Sequence, residues 1–145
     1  MEVHVRNARL TDLDASLRIL AHDDERGRDE ADYLRNLLFV PSATVLVAEV
    51  QRRVVGLGVL AIRPSVRSGP YIGVIDELGV AHASELDGAD RQLIADHLVE
   101  HLATSARNKG CTRVEVAEPL ASAEPALWKR VGFASRGSIL SRAIG

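Results

Sequence analysis

The stretch Thr44-Val45-Leu46-Val47-Ala48-Glu49-Val50, followed by Gln51-Arg52-Arg53 and then Val54-Val55-Gly56-Leu57-Gly58-Val59-Leu60-Ala61-Ile62, decides the architecture. Both flanks are rich in β-branched and aliphatic residues, and the three residues between them are polar. That pattern predicts two strands joined as a hairpin, although the turn lacks Asn-Gly or Asp-Gly. Gly56 and Gly58 inside the second strand weaken it and mark a bulge or a close backbone approach.

Working outward, residues 3–8 alternate, with Val3 and Val5 on one face and His4 and Arg6 on the other, as in a strand. Thr11-Asp12-Leu13-Asp14 resembles a helix entrance with Thr11 or Asp12 as cap. Leu13, Leu17 and Leu20 continue at helical spacing. The mixed-sign stretch Asp23 to Glu30 predicts a solvated link between helices. A second helix fits Asp29 to Phe39, with Tyr33, Leu34, Leu37 and Leu38 on its apolar side and Pro41 beyond its end.

After the hairpin, Pro64 to Pro70 is a loop and Tyr71 to Val80 a strand. Ala81 to Gly88 is a second loop, and the longest helix is expected from about Asp90 to Lys109. Ile94, Ala95, Leu98, Leu102 and Ala106 form its buried stripe, and Gly110 ends it. Cys111 to Ala117 is a strand. Glu124 to Val131 is a short helix with Pro125 in its first turn, and a last strand falls near Ser138–Ile144. The order β-α-α-β-β-β-α-β-α-β implies a three-layer α/β fold. Its mixed central sheet has about six strands, with helices on both faces.

The 145 residues fit a single domain, 1–145. A net charge of −2 lacks the basic excess of a nucleic-acid binder. No apolar run approaches a membrane span, and the first residues lack the pattern of a signal peptide, so a cytoplasmic protein is expected. Aromatics make up 3%, so the core must be aliphatic.

Several patterns invite chemistry. His97-Leu98-Val99-Glu100-His101 spells an inverted zinc-protease motif, but a third ligand is hard to find and His101 edges the apolar stripe, so no metal is expected. Cys111 follows a helix C-terminus, which suits a structural thiol better than a nucleophile. Arg63, Ser65, Arg67 and Ser68 form a polar loop that could meet a phosphate or an acidic acceptor. Asp76 and Glu77 are adjacent strand carboxylates. Strict alternation puts Glu77 on a face with Ile75 and Gly79, and Asp76 with Val74, Leu78 and Val80. Glu49 is a weaker candidate base.

The order and spacing of four stretches resemble the GCN5-related N-acetyltransferase (GNAT) superfamily over essentially the whole chain. They are Val5 to Asp14, the hairpin Val45 to Gly58, Ile75-Asp76-Glu77-Leu78-Gly79-Val80, and Ala126-Leu127-Trp128-Lys129-Arg130-Val131-Gly132-Phe133. The resemblance implies acetyl-CoA as cosubstrate beside the fourth strand, which splays from the fifth. It implies pantetheine pairing with the backbone near Leu78, Gly79 and Val80, and pyrophosphate on N–H groups where the long helix begins.

Counting back from Gly110, the family's Arg/Gln-x-x-Gly-x-Gly/Ala matches Asp90-Arg91-Gln92-Leu93-Ile94-Ala95, so the cofactor-binding set extends to Arg91, Gln92, Leu93 and Ala95. Ala95 fits its place, but Leu93 stands where Gly is usual and Asp90 where Arg or Gln is usual. Using Gly88 instead still supplies one Gly. Asp87 and Asp90 would repel phosphate, Arg91 would offset that in part, and the acetyl-CoA loop is read as degenerate. Trp128 replaces the family's frequent Tyr, whose hydroxyl protonates the leaving thiolate. An indole N–H donates a hydrogen bond but is no useful acid.

The resemblance thus implies an N-acetyltransferase moving an acyl group from acetyl-CoA to the primary amine of a small-molecule or peptide acceptor, with Glu77 or Asp76 as base. It implies no nucleic-acid or membrane partner and leaves room for a homodimer. The alternative is a catalytically inactive GNAT-fold binding or interaction module.

Overall fold

The hairpin forms where the sequence predicts it. In a computed structural model that describes residues 1–20, 26–82, 85–137 and 139–144 (backbone alone for 26–28), β2 (Ala43–Val50) and β3 (Arg53–Pro64) pair antiparallel. Gln51 and Arg52 form the turn with φ of 51° and 65°, the left-handed conformation that a tight hairpin demands at both central positions. Neither residue favours it; the long ladder on either side holds it.

β1 (His4–Asn7) pairs antiparallel with β2, β4 (Tyr71–Val80) antiparallel with β3, and β5 (Cys111–Val116) parallel with β4. The described sheet therefore has five strands in sequential order, β1-β2-β3-β4-β5. On one face lie α1 (Leu13–Leu20) and α2 (Arg26–Leu37), where Leu13 and Leu34 bury against Val45, Val47, Leu57 and Val59. On the other face α3 (Gly88–Asn108) packs Ile94, Leu98 and Leu102 onto Leu46, Ala48 and Leu60. A Cβ at Gly58 would sit 2.9 Å from Leu102 Cδ1, so the missing side chain is what lets α3 lie close to β3.

The entry to α1 is held by charge. A single 3-10 turn, Leu10–Asp12, leads into the helix, and Asp12 is 6% exposed. Its carboxylate accepts from Arg6 Nη1 at 2.7 Å, Arg6 Nη2 at 2.9 Å and the Arg9 N–H at 2.7 Å. Arg6 Nε also donates to Glu49 Oε1 at 2.5 Å. The Arg6 hydrogen bonds hold the Asp12 carboxyl below the usual carboxylate range against the opposing effect of burial, and Arg6 is raised in turn.

Several expectations are corrected. The sixth strand is absent among the described residues: 139–144 has no regular structure, Ile139, Leu140 and Ile144 are exposed, and Ser138 lies outside the described residues. Apolar content gives a strand its side chains, but a strand also needs a partner edge, which that segment does not occupy. Of the mixed-sign stretch, Asp23–Glu25 lie outside the described residues, and from Arg26 the chain is α2 rather than a link. Tyr33 faces solvent and is 63% exposed, because Leu34, Leu37 and Leu38 carry the contact with the sheet. The short helix expected at Glu124–Val131 forms as α5 (Pro125–Arg130), and an unexpected short helix, α4 (Leu120–Ala123), precedes it.

Candidate functional site

β4 is the strand that positions the site, and its two edges behave differently. It pairs with β3 from Tyr71 to Val80, yet Val59 faces Glu77 while Leu60 faces Ile75, which leaves Asp76 as an extra residue. This β-bulge bends the strand and re-aims the residues beyond it. On its other edge β4 pairs with β5 from Tyr71 to Ile75, and the ladder ends where the Ala117 N–H donates to the Ile75 carbonyl at 3.0 Å. The parallel ladder ends at the bulge, so the β5 side of Asp76–Val80, called the wedge below, has no strand partner among the described residues, and α4 packs on β4.

The bulge overturns the alternation expected around the two carboxylates. Ile75 is buried with Leu60 on the α3 side. Glu77 lies opposite Val59, on the face that holds Gly79, whose Cβ would come within 2.8 Å of Ile19 Cγ2 in α1. Leu78 and Val80 lie opposite Gly58 and Gly56, on the α3 side with Ile75. Ile75 and Glu77 therefore occupy opposite faces, since one residue inserted between them reverses the parity. Asp76 is exposed and Glu77 half-buried.

The connection from β4 to α3 is tied at both ends. A second bulge leaves Val55 unmatched in β3, and its carbonyl accepts the Ala81 N–H at 2.8 Å. Arg91 Nε donates to the Ala81 carbonyl at 2.9 Å, so this side chain turns back onto the loop. α3 begins at Gly88, two residues earlier than expected, because Asp87 caps it: its Oδ1 accepts the Asp90 N–H at 2.8 Å. Of the other α3 residues expected at a cofactor, Gln92 is exposed, Leu93 is 39% exposed and Ala95 is buried in the core.

Trp128 is buried in the α3-side core, with its ring edge-on to Phe133 at 5.5 Å between centroids. Its Nε1–H donates to the Leu120 carbonyl at 3.1 Å and fastens α5 to α4.

Other candidates lie away from the wedge. Arg6 engages Glu49, on β2. The Arg63–Pro70 loop sits at the start of β4, about 30 Å along the strand from its end. Arg63 there lies 3.6 Å from Glu115, and the Ser65 hydroxyl accepts the Ser68 N–H. Burial pushes the Cys111 thiol pKa up, which makes it less reactive. His101 Nδ1 lies 2.9 Å from the His97 carbonyl of its own helix, and no three His, Cys, Asp or Glu residues come together for a metal among the described residues. An open cavity of about 480 Å³ lies at the β1–β2 edge beside Glu2, His4 and Arg52, two strands from the wedge.

A parted strand suits an extended ligand with amide groups, because β4 can pair with such a ligand as it would with another strand. One N–H of the first turn of α3 is already taken by the Asp87 carboxylate, and Asp90 adds a second acid to that turn.

A sequence model of the acetyltransferase (GNAT) family matches residues 9–133. The chain belongs to that family. Solved GNAT enzymes share its fold. The apo aminoglycoside 6'-N-acetyltransferase AAC(6')-Ig of Acinetobacter haemolyticus superposes with a TM-score of 0.78 at 17% identity, over 98% of each chain. The ribosomal-protein-alanine N-acetyltransferase of Brucella melitensis biovar Abortus 2308 gives 0.76 at 21% identity, over 99% of this chain and 100% of that one. A transcriptional regulator from Bacillus halodurans C-125 gives 0.77 at 18% identity, over 99% and 100%. A search of curated sequences finds no match. No described helix of this GNAT chain is long and apolar enough to cross a membrane.

The Asp87 cap had a readable signal that pattern counting missed: Asp87-Gly88-Ala89-Asp90 has the acid-x-x-acid spacing of a helix start. The bulge at Asp76 had none.

Proposed function

We propose that the chain is an acyltransferase that moves an acyl group from a CoA-type thioester to an amine, in the wedge between β4 and β5. The observation that carries this reading is the parting of the two strands at the Asp76 bulge, within a chain of the GNAT family. The donor would supply an activated acyl carbon. Backbone groups of Leu78, Gly79 and Val80 would align it, and an N–H there would stabilise negative charge on the carbonyl oxygen. Glu77 or Asp76 would take the proton that the amine must lose. The two residues are neighbours in the chain where the ladder with β5 ends, and positioning would supply most of the rate. The amine acceptors named for similar folds, an aminoglycoside and a ribosomal-protein alanine, support a small molecule or a peptide terminus as acceptor class.

The test is release of free thiol from acetyl-CoA with an aminoglycoside, a polyamine and a peptide bearing a free N-terminus. Expected is release above the uncatalysed rate with one of them, lost by roughly 10²–10⁴-fold in either Glu77→Gln or Asp76→Asn together with the rising limb of the pH profile. No release with any of the three, and no binding of the thioester, would overturn the proposal. The second reading, a binding module on a GNAT fold, is favoured by one observation: the Trp128 N–H is already engaged by Leu120, so that residue offers no proton to a leaving thiolate.

A further inference from the structure

Two features that a single chain leaves uncovered match each other. β5 pairs with β4 alone, so its outer edge, from Cys111 to Val116, makes no backbone hydrogen bond among the described residues. Little blunts that edge. The strand holds no Pro, and its two charged residues, Arg113 and Glu115, pair with each other at 2.9 Å. Beside it the α3-side core is incompletely covered: Cys111, Val114, Val116, Val131 and Phe133 pack against that core and stay half-buried. The second feature is the segment 139–144. Every described residue after Phe133 is exposed. Ile139, Leu140 and Ile144 are 65%, 94% and 96% exposed. A single exposed Leu or Ile is ordinary, but three within one short stretch form an apolar surface without a cover.

From this match we infer that residues 139–144 form a strand of the assembly rather than of the single chain: they add to the outer edge of β5 in a second copy, and that copy returns its own segment. The exchange is reciprocal, so it closes as a two-fold dimer. Main-chain hydrogen bonds along β5 supply the affinity. The apolar side chains of the segment cover Val114 and Val116, which one chain leaves half-buried. A second copy is the occupant because each chain holds both halves of the match, one bare edge and one uncovered segment. The chain's own segment is not, because it runs exposed and pairs with no strand of its own sheet. Dimerisation of this kind is independent of the acyltransferase reading above.

The experiment is sedimentation velocity of the full chain over a concentration series, with amide hydrogen exchange measured at both ends of the series. Expected is a species of twice the chain's mass. Residues 112–116 and 139–144 are expected to exchange at least about tenfold more slowly in the dimer than after dilution to the monomer. Leu140→Asp combined with Ile144→Asp is run in parallel. Both side chains are almost fully exposed in one chain, so two charges there cost a monomer little, and circular dichroism verifies the fold. The variant is expected to lose dimer affinity by about a hundredfold or more, because pairing would bury those charges. If the variant misfolds, hydrogen exchange in the unaltered chain decides alone. A full chain that stays monomeric up to about 1 mM would overturn the inference, as would a dimer that survives in the folded variant or one in which the two segments exchange fast. Slow exchange of 139–144 that persists in the diluted monomer would also overturn it, and would assign the segment to its own β5.

Discussion

The two halves of β4 are built from similar residues and do opposite things. From Tyr71 to Ile75 the strand is paired on both edges, and a Cβ at Gly73 would meet Ala106 Cβ and Leu60 Cδ1 at 3.1 Å each. From Asp76 to Val80 it is bulged, keeps its ladder with β3 and has left β5. The first half is a structural staple, paired along both edges. The second is where a ligand could enter. What separates them is one inserted residue, which shows how little backbone irregularity is needed to turn a core strand into a binding edge.

That comparison can be broken most directly in the closed half. Gly73→Val is expected to cost about 3 kcal/mol in urea unfolding, because its neighbour is a Cβ fixed on a long helix, whereas Gly79→Val is expected to cost about 1 kcal/mol, because Ile19 on the short α1 can shift. Equal costs would mean that the halves are packed alike.

The buried cluster at the opposite edge of the sheet calibrates these values. Asp12→Asn is expected to cost about 2 kcal/mol at neutral pH, since it removes a charged acceptor from Arg6 and Arg9. The Asp12 pKa is lowered from 3.8 on folding, so its contribution is fully present above the unfolded value and is lost as pH falls through the folded one. The difference between parent and variant is expected to hold from pH 7 to about pH 5 and to shrink below about pH 4. A difference that persists at pH 2.5 would show that charge is not its source.

The effect on ligand binding belongs to the open half. Deleting Asp76 leaves Ile75, Glu77 and Leu78 on their present faces and straightens the strand. The chain is expected to stay folded by circular dichroism while pantetheine or CoA binding weakens about tenfold, near 1.4 kcal/mol. Full affinity in the deletion would sever the bulge from the wedge.

Most of the fold was legible because aliphatic periodicity and glycine placement act locally. The hairpin at 44–62, the stripe from Ile94 to Ala106 and the stop at Gly110 arise from side chains that must be buried at a fixed spacing. The same logic failed at Ser138–Ile144, where the apolar pattern is present and a partner edge is not. The stretch Ile75 to Val80 was legible as part of a strand, but the faces were assigned by strict alternation. Asp76 looks like any exposed strand residue, so nothing in the letters announces that it is the extra one.

The sequence by itself determined the family and, apart from the last strand and the extra turn α4, the order of elements, since these depend on residue type and spacing along the chain. Tertiary structure alone decided the two bulges, the faces of Glu77 and Leu78, the turn of Arg91 onto Ala81 and the engagement of Trp128 with Leu120. The physical reason is the same for all four. Each is a choice among partners distant in sequence or in register, and it is settled by which donor finds which acceptor once the sheet and α3 have packed.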